Sequence, residues 1–184
     1  MADSNITKRA LAAALKELMA EIPFAKISVS DICEKCEMNR KSFYYHFKDK
    51  FELVNWIYDT EFIALLPQKD INSGWDFLME LCNYLYSNRS FYRKAMRITG
   101  QNSFSEHFRE MLFPLITEYL RALLIDQEVK EFHVHFFADG FVCAIERWIQ
   151  DRNAVEPEEF IALLKSCIES AAIKVYRDMN IDAQ

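Results

Sequence analysis

The chain has 184 residues, 51% of them apolar, with only three glycines and four prolines. That is enough apolar side chain for a sizeable core, and too few chain-breakers for a sheet protein of this size, which needs Gly- and Pro-rich turns between its strands. The net charge of −6 excludes a uniformly basic nucleic-acid binder, but residues 1–50 hold nine Lys/Arg against seven Asp/Glu (+2) and residues 51–184 hold thirteen against twenty-one (−8), so only the N-terminal part is suited to face phosphate.

The expected elements are all helical. A first helix from about Asn5 to Ile22 places Ile6, Leu11, Leu15, Leu18, Met19 and Ile22 on one face and Lys8, Arg9, Lys16 and Glu17 largely on another. Pro23 stops it, and Phe24 and Ile27 supply an apolar link. Ser28-x-x-Asp31 is a capping-box signature for a second helix. Asn39 caps a third, and Asp49-x-x-Glu52 opens a fourth that runs to about Leu66, before Pro67. Three such starts so close together predict short helices at sharp angles, a helix-turn-helix.

A polar link over 67–73 follows. Further helices are expected over Gly74–Ser87 (inner face Trp75, Leu78, Leu81, Cys82, Leu85), Ser90–Ile98, Ser103–Ile125 with a possible kink at Pro114, Val129–Asp151, and Glu156 to about Asp178 with Pro157 in its first turn. The total is about nine helices and no strand: an all-α chain, with residues 1–66 as a DNA-binding head and 67–184 as a body.

The five cysteines, Cys33, Cys36, Cys82, Cys143 and Cys167, are odd in number and scattered. That pattern fits reduced thiols in a cytoplasmic protein rather than a disulfide framework. No basic segment followed by an apolar run opens the chain, and no apolar stretch approaches about 18 residues, so neither a signal peptide nor a membrane span is expected.

Chemistry concentrates at the third helix. Arg40, Lys41 and Ser42 sit in its first turn, where helix-turn-helix proteins meet base edges. Arg40 suits bidentate pairing with guanine O6 and N7, and Lys41 suits base or phosphate. Phe43 and Phe47, at i and i+4, form the packed face, which leaves Tyr45 outward. Ser28 and Ser30 lie where a hydroxyl can donate to phosphate at a helix N-terminus. Cys33-x-x-Cys36 has the spacing of half a zinc site, but there is no second pair, so close packing is the preferred reading. No nucleophile–base set, phosphate loop or complete metal set is visible, so no enzyme, cofactor or metal is expected.

Residues 5–66 resemble the TetR family of bacterial transcription regulators. The resemblance is carried by Ile32-Cys33, by Phe43-Tyr44-Tyr45-His46-Phe47, and by Lys50 and Leu53 after it. Phe24 and Ser28–Ile32 also look like a subgroup that includes regulators of dihydroxyacetone-kinase operons. The resemblance implies that Tyr44, His46 and Lys50 touch phosphates, with a wholly buried Tyr44 as the alternative. It also implies that the family's Ala positions here are Cys33 and Cys36. Three departures stand out: Glu37 where the family turn has Gly, Asn39 where its cap is Ser, and Lys41 where it has a small residue.

The same resemblance implies a homodimer formed by the last two helices, which carry Phe136, Gly140, Ala144, Trp148, Leu164, Cys167, Ile168 and Ala171. The operator would then be an approximately palindromic double-stranded DNA. It also implies an effector held in the body. Candidate effector residues are Trp75, Tyr92, Met96, Arg97, His107, Phe108, Met111, His133 and Phe137, with plain core as the alternative reading of the aromatic ones. His133 and His135, two apart on a helix, face different sides and make no chelating pair. The expected function is a ligand-responsive regulator, a repressor before an activator. A protein partner rivals a small effector, and an adaptor or a helical enzyme rivals the whole assignment.

Overall fold

The computed structural model describes residues 2–99, 102–123 and 131–167, and among them every regular element is helical. The head comprises α1 (Ala2–Glu21), a 3-10 turn at Phe24–Lys26, α2 (Val29–Lys35), α3 (Arg40–His46) and α4 (Lys50–Glu61). A second 3-10 segment, Ile63–Gln68, leads to α5 (Gly74–Ser87), α6 (Arg89–Ala95), α7 (Phe104–Leu123) and α8 (Glu131–Gln150). A ninth helix, α9, is described over residues 157–167. Among the described residues no helix is long and apolar enough to cross a membrane.

α1 buries Leu11, Leu15 and Met19 completely. Their spacing of four stacks them on one face, and α2, α3, α4 and α6 all pack on this helix. Each such side chain contributes on the order of 1.5–3 kcal/mol relative to exposure. The core continues without a break from Leu11 in the head to Ile161 in α9.

The fourth helix is shorter than predicted. Phe62 leaves helical geometry (φ −120°, ψ −65°) and is buried, stacked between Tyr58 (5.6 Å) and Tyr84 (5.0 Å). Pro67 then falls inside a 3-10 segment rather than beyond the end of an α-helix. α7, in contrast, runs through Pro114.

Side chains tie head to body at the far end of α4. The Lys16 ammonium from α1 donates to Glu61 Oε1 (2.6 Å), and the Tyr84 hydroxyl from α5 donates to Glu61 Oε2 (3.2 Å). Tyr84 and Tyr92 hydroxyls lie 2.7 Å apart; since the Tyr84 proton points to Glu61, Tyr92 is the donor. Burial pushes both phenols well above their ordinary range, so they remain protonated donors. Lys94 of α6 caps the end of α1 through the carbonyls of Met19 and Ala20. His107 of α7 meets Asp59 of α4 at 2.7 Å.

α7 and α8 run antiparallel: Arg109 bonds Glu146 (2.8 Å), while Phe113, one turn on, meets His135. At the end of α8, the Trp148 ring lies nearly parallel to Tyr86 and to Phe160 (4.6 Å), and its indole N–H donates to Val155 O (2.9 Å).

Glu37, in the turn between α2 and α3, has φ 55°. This is the left-handed conformation that the family's glycine adopts freely and a side chain resists. Glu37→Gly is expected to raise stability by about 0.5–1 kcal/mol, read as a higher denaturant midpoint with unchanged helicity. An unchanged or lower midpoint would contradict strain at this turn.

Candidate nucleic-acid interface

The head's geometry is set by its caps. The Ser28 backbone N–H donates to Asp31 Oδ2 (2.7 Å) and the Asp31 N–H donates to Ser28 Oγ (3.1 Å), a complete capping box. These bonds hold the Asp31 carboxyl below its ordinary value, so the box is intact above that range and weakens as pH falls through it. Asn39 Oδ1 accepts from the Ser42 N–H (2.9 Å) and Oγ (3.3 Å). Asp49 Oδ1 accepts from the N–H groups of Phe51 and Glu52 (2.9 Å each). The three helix starts expected from the sequence are therefore fixed by side chains.

Phe43 and Phe47 are buried beneath α3, and they turn its opposite face outward. Arg40 and Lys41 are exposed, as are Tyr44 (51%) and Tyr45 (82%), so Tyr44 is not core. Its ring packs edge-on against Phe43 (5.5 Å), and the Arg40 guanidinium lies over it, with Nη2 3.5 Å from its hydroxyl. Tyr45 packs edge-on against His46 (4.9 Å), which is half-buried.

A shallow depression of about 360 Å³ lies beside α3, lined by Thr7, Asn39, Lys41, Ser42, Tyr45 and His46. Thr7 was missed in the sequence, because nothing local links the start of α1 to the recognition face. Lys8, one residue on, lies over the rings of Phe47 and Trp56.

Lys50, expected at phosphate, opens α4. Its ammonium donates to the carbonyls of Phe24 (2.8 Å) and Ile27 (2.6 Å) and sits 4.3 Å from the Phe24 ring centre. Burial lowers its pKa from the ordinary lysine value. Ser28 and Ser30 lie at the start of α2, half-exposed or exposed.

Cys33 is buried, and Cys36 Sγ donates to the carbonyl of Ile32 (3.2 Å). Burial raises both thiols above their ordinary pKa, the environment of a packed thiol rather than a reactive one.

The body candidates fall into separate groups. Tyr92 and Phe108 are core: Tyr58 and Phe104 pack against both rings. Met96 is buried, with Sδ 3.7 Å from Ser105 Oγ. His107 is held by Asp59 and Arg97 is exposed. Trp75 lies elsewhere, against Phe141 with Lys165 over its face. Met111 and Phe137 are half-buried, and the side chain of His133 lies outside the described residues.

Of the pairing candidates, Phe136 (63% exposed) stacks with exposed Phe132, and Gly140 faces open space. Ala144 and Leu164 are half-buried and Cys167 is exposed. Trp148 is a correction: held between Tyr86 and Phe160, it is interior to its own chain. Ile168 and Ala171 lie outside the described residues.

Known proteins match both parts of the chain. Residues 10–57 match the family model described as bacterial regulatory proteins, tetR family, and residues 75–170 match the transcriptional regulator C-terminal region. The HTH-type dhaKLM operon transcriptional activator DhaS of Lactococcus lactis subsp. lactis (strain IL1403) is 31% identical over 145 residues, 78% of this chain and 74% of the relative. The solved dihydroxyacetone kinase operon activator DhaS aligns with TM-score 0.63 and 26% identity, covering 89% of this chain and 97% of that one. A TetR transcriptional regulator from Streptococcus agalactiae 2603V shares the fold, with TM-score 0.70 at 20% identity over 90% of this chain and 95% of that one.

If Cys33 and Cys36 serve packing, their alkylation by iodoacetamide in the folded chain at mildly alkaline pH is expected to be at least about tenfold slower than in urea, read by mass spectrometry. Equal rates would contradict this.

Proposed function

The chain belongs to the TetR family of bacterial regulatory proteins, which are DNA-binding transcription factors and not enzymes, and from that premise we propose that it works as a homodimer on an approximately palindromic operator. In this reading residues 1–66 bind DNA in the cytoplasm, and residues 67–184 pair the subunits and receive the signal. The observation that carries it is the outward face of α3, where Arg40, Lys41 and Tyr45 stand exposed above buried Phe43 and Phe47. Arg40 reads a base edge in the major groove, and Lys41 makes a base or phosphate contact. Ser28, Ser30, Ser42, Tyr44, Tyr45, His46 and Lys50 hold the backbone, with Asn39 fixing the helix start.

Pairing is supported by Phe132 and Phe136 on α8 and Leu163 on α9, each more than half exposed. A helix with apolar surface left over must bury it somewhere, and a second copy supplies the same face. A two-fold dimer then places its two α3 helices in successive major grooves. A small molecule or a partner protein bound by the body shifts the population of head spacings and so the operator affinity. The activator among its relatives supports activation as the sign, against the repression expected from the family at large.

Arg40→Ala and Lys41→Ala are each expected to weaken binding to the native site by roughly 5- to 150-fold, if each contact is worth about 1–3 kcal/mol, with helicity and sedimentation unchanged. Unaltered binding would remove α3 from the interface. Phe136→Glu is expected to shift sedimentation from dimer to monomer and to weaken operator binding. A variant that stays dimeric would exclude this face from the contact.

A further inference from the structure

We propose that Tyr44 is a positioning residue for base reading: one turn beyond Arg40 on α3, it holds the Arg40 guanidinium in place before DNA arrives, and so sets specificity as well as affinity. This rests on the DNA-binding reading above, in which Arg40 meets a base edge and Tyr44 the backbone, and names what joins the two contacts.

Arg40 and Tyr44 are four residues apart in α3, so their side chains share one face of the helix. The guanidinium carbon lies 5.8 Å from the centre of the Tyr44 ring, and Nη2 donates to the Tyr44 hydroxyl (3.5 Å). The ring has its own support: it stands edge-on at 5.5 Å against Phe43, which is fully buried. A long, exposed cation is thus tied through one aromatic ring to the core of the head. Lys41 and Tyr45, also four apart, form the adjacent row and line the depression shared with α1, and neither Arg40 nor Tyr44 belongs to that lining. The outward face of α3 is therefore two rows, and Tyr44 stands in the row of Arg40.

Both contacts can be made at once. Arginine carries five N–H donors. One goes to Tyr44, and the other four are enough for bidentate pairing with guanine O6 and N7. The phenolic oxygen accepts from Arg40, so its own proton is left to donate to a phosphate oxygen. Ordering a rotamer-rich side chain on binding costs affinity, and an arginine already held by a ring has less freedom to lose. The two roles of Tyr44 differ in what they change. A phosphate contact carries no sequence information, so its loss weakens binding alike on every duplex. Loss of a positioning ring changes discrimination at the base pair that its arginine reads.

The test uses the full-length chain and duplexes tiled across the DNA beside its gene, followed by replacement of each base pair of the bound site in turn. The base pair at which Arg40→Ala loses discrimination is the one that Arg40 reads. Tyr44→Phe keeps the ring, and Tyr44→Leu removes it. At that base pair, Tyr44→Leu is expected to lower the ratio of affinities for native over replaced duplex by about 2- to 10-fold, the scale of ordering one such side chain. Ratios at other positions stay unchanged, and Tyr44→Leu takes nothing further from the ratio once Arg40→Ala is present. Tyr44→Phe weakens every duplex alike and keeps most of the ratio. Uniform weakening by Tyr44→Leu with the ratio intact would overturn the proposal in favour of a phosphate contact alone. A further fall in the ratio when Tyr44→Leu is added to Arg40→Ala would overturn it in favour of direct base reading by Tyr44. If Tyr44→Leu fails to fold, Tyr44→Gln replaces it, with the same outcomes deciding. A wild-type chain that binds no duplex, or Arg40→Ala losing discrimination at no base pair, would contradict the underlying DNA-binding reading and this proposal with it.

Discussion

One carboxylate holds the two halves of the molecule in register. Glu61, at the end of α4, receives the Lys16 ammonium from α1 and the Tyr84 hydroxyl from α5, and Tyr84 in turn accepts from Tyr92 of α6. Partly buried polar groups of this kind are costly unless all are paired, so the set forms as a unit. Two further contacts cross the same junction, His107 to Asp59 and Lys94 to the last carbonyls of α1. α4 is consequently a beam anchored at both ends, with body side chains on Asp59 and Glu61 and the turn before α2 on Lys50 and Phe51. The side chains of α5 and α7 that touch α4 therefore form a direct physical link between body and head. Packed interiors switch between discrete arrangements rather than deforming smoothly, which suits a regulator.

The head and body also divide the electrostatics. The exposed cations of the head stand on short helices whose first turns are closed by Ser28, Asn39 and Asp49. The surplus negative charge lies in the remainder of the chain, which disfavours phosphate there relative to the head. Orientation on a duplex is thus biased before any base is read. The strained turn at Glu37 lies between the two helices of the motif, where a left-handed residue is needed to reverse the chain in so few residues.

Much of this was legible in the sequence because it is local. Caps join residues two or three apart, so Ser28-x-x-Asp31, Asn39 and Asp49 could be read directly, and the exceptional position of Glu37 followed from the family's glycine. The all-α fold followed from few breakers and apolar spacing. What was not legible depends on partners distant in sequence. The bonds of Lys50 run to carbonyls 23 and 26 residues upstream, which no local pattern shows. Trp148 carried the periodicity of a pairing surface, but Phe160 and Tyr86 fold back over it. Thr7 entered the recognition face only because α1 passes beside α3. Phe62 ended α4 early for a tertiary reason, its stack on Tyr84, which no propensity encodes. Aromatic residues of the body could not be sorted between core and lining from spacing, since both demand the same pattern.

The central claim is that two copies of the outward α3 face read DNA together. Hydroxyl-radical footprinting of the wild-type chain on the DNA flanking its gene tests it most directly. The account predicts two protected patches on one face of the duplex, separated by about one helical turn or a multiple of it and related by approximate two-fold symmetry. A single unpaired patch, or protection spread without phase along the duplex, would contradict it.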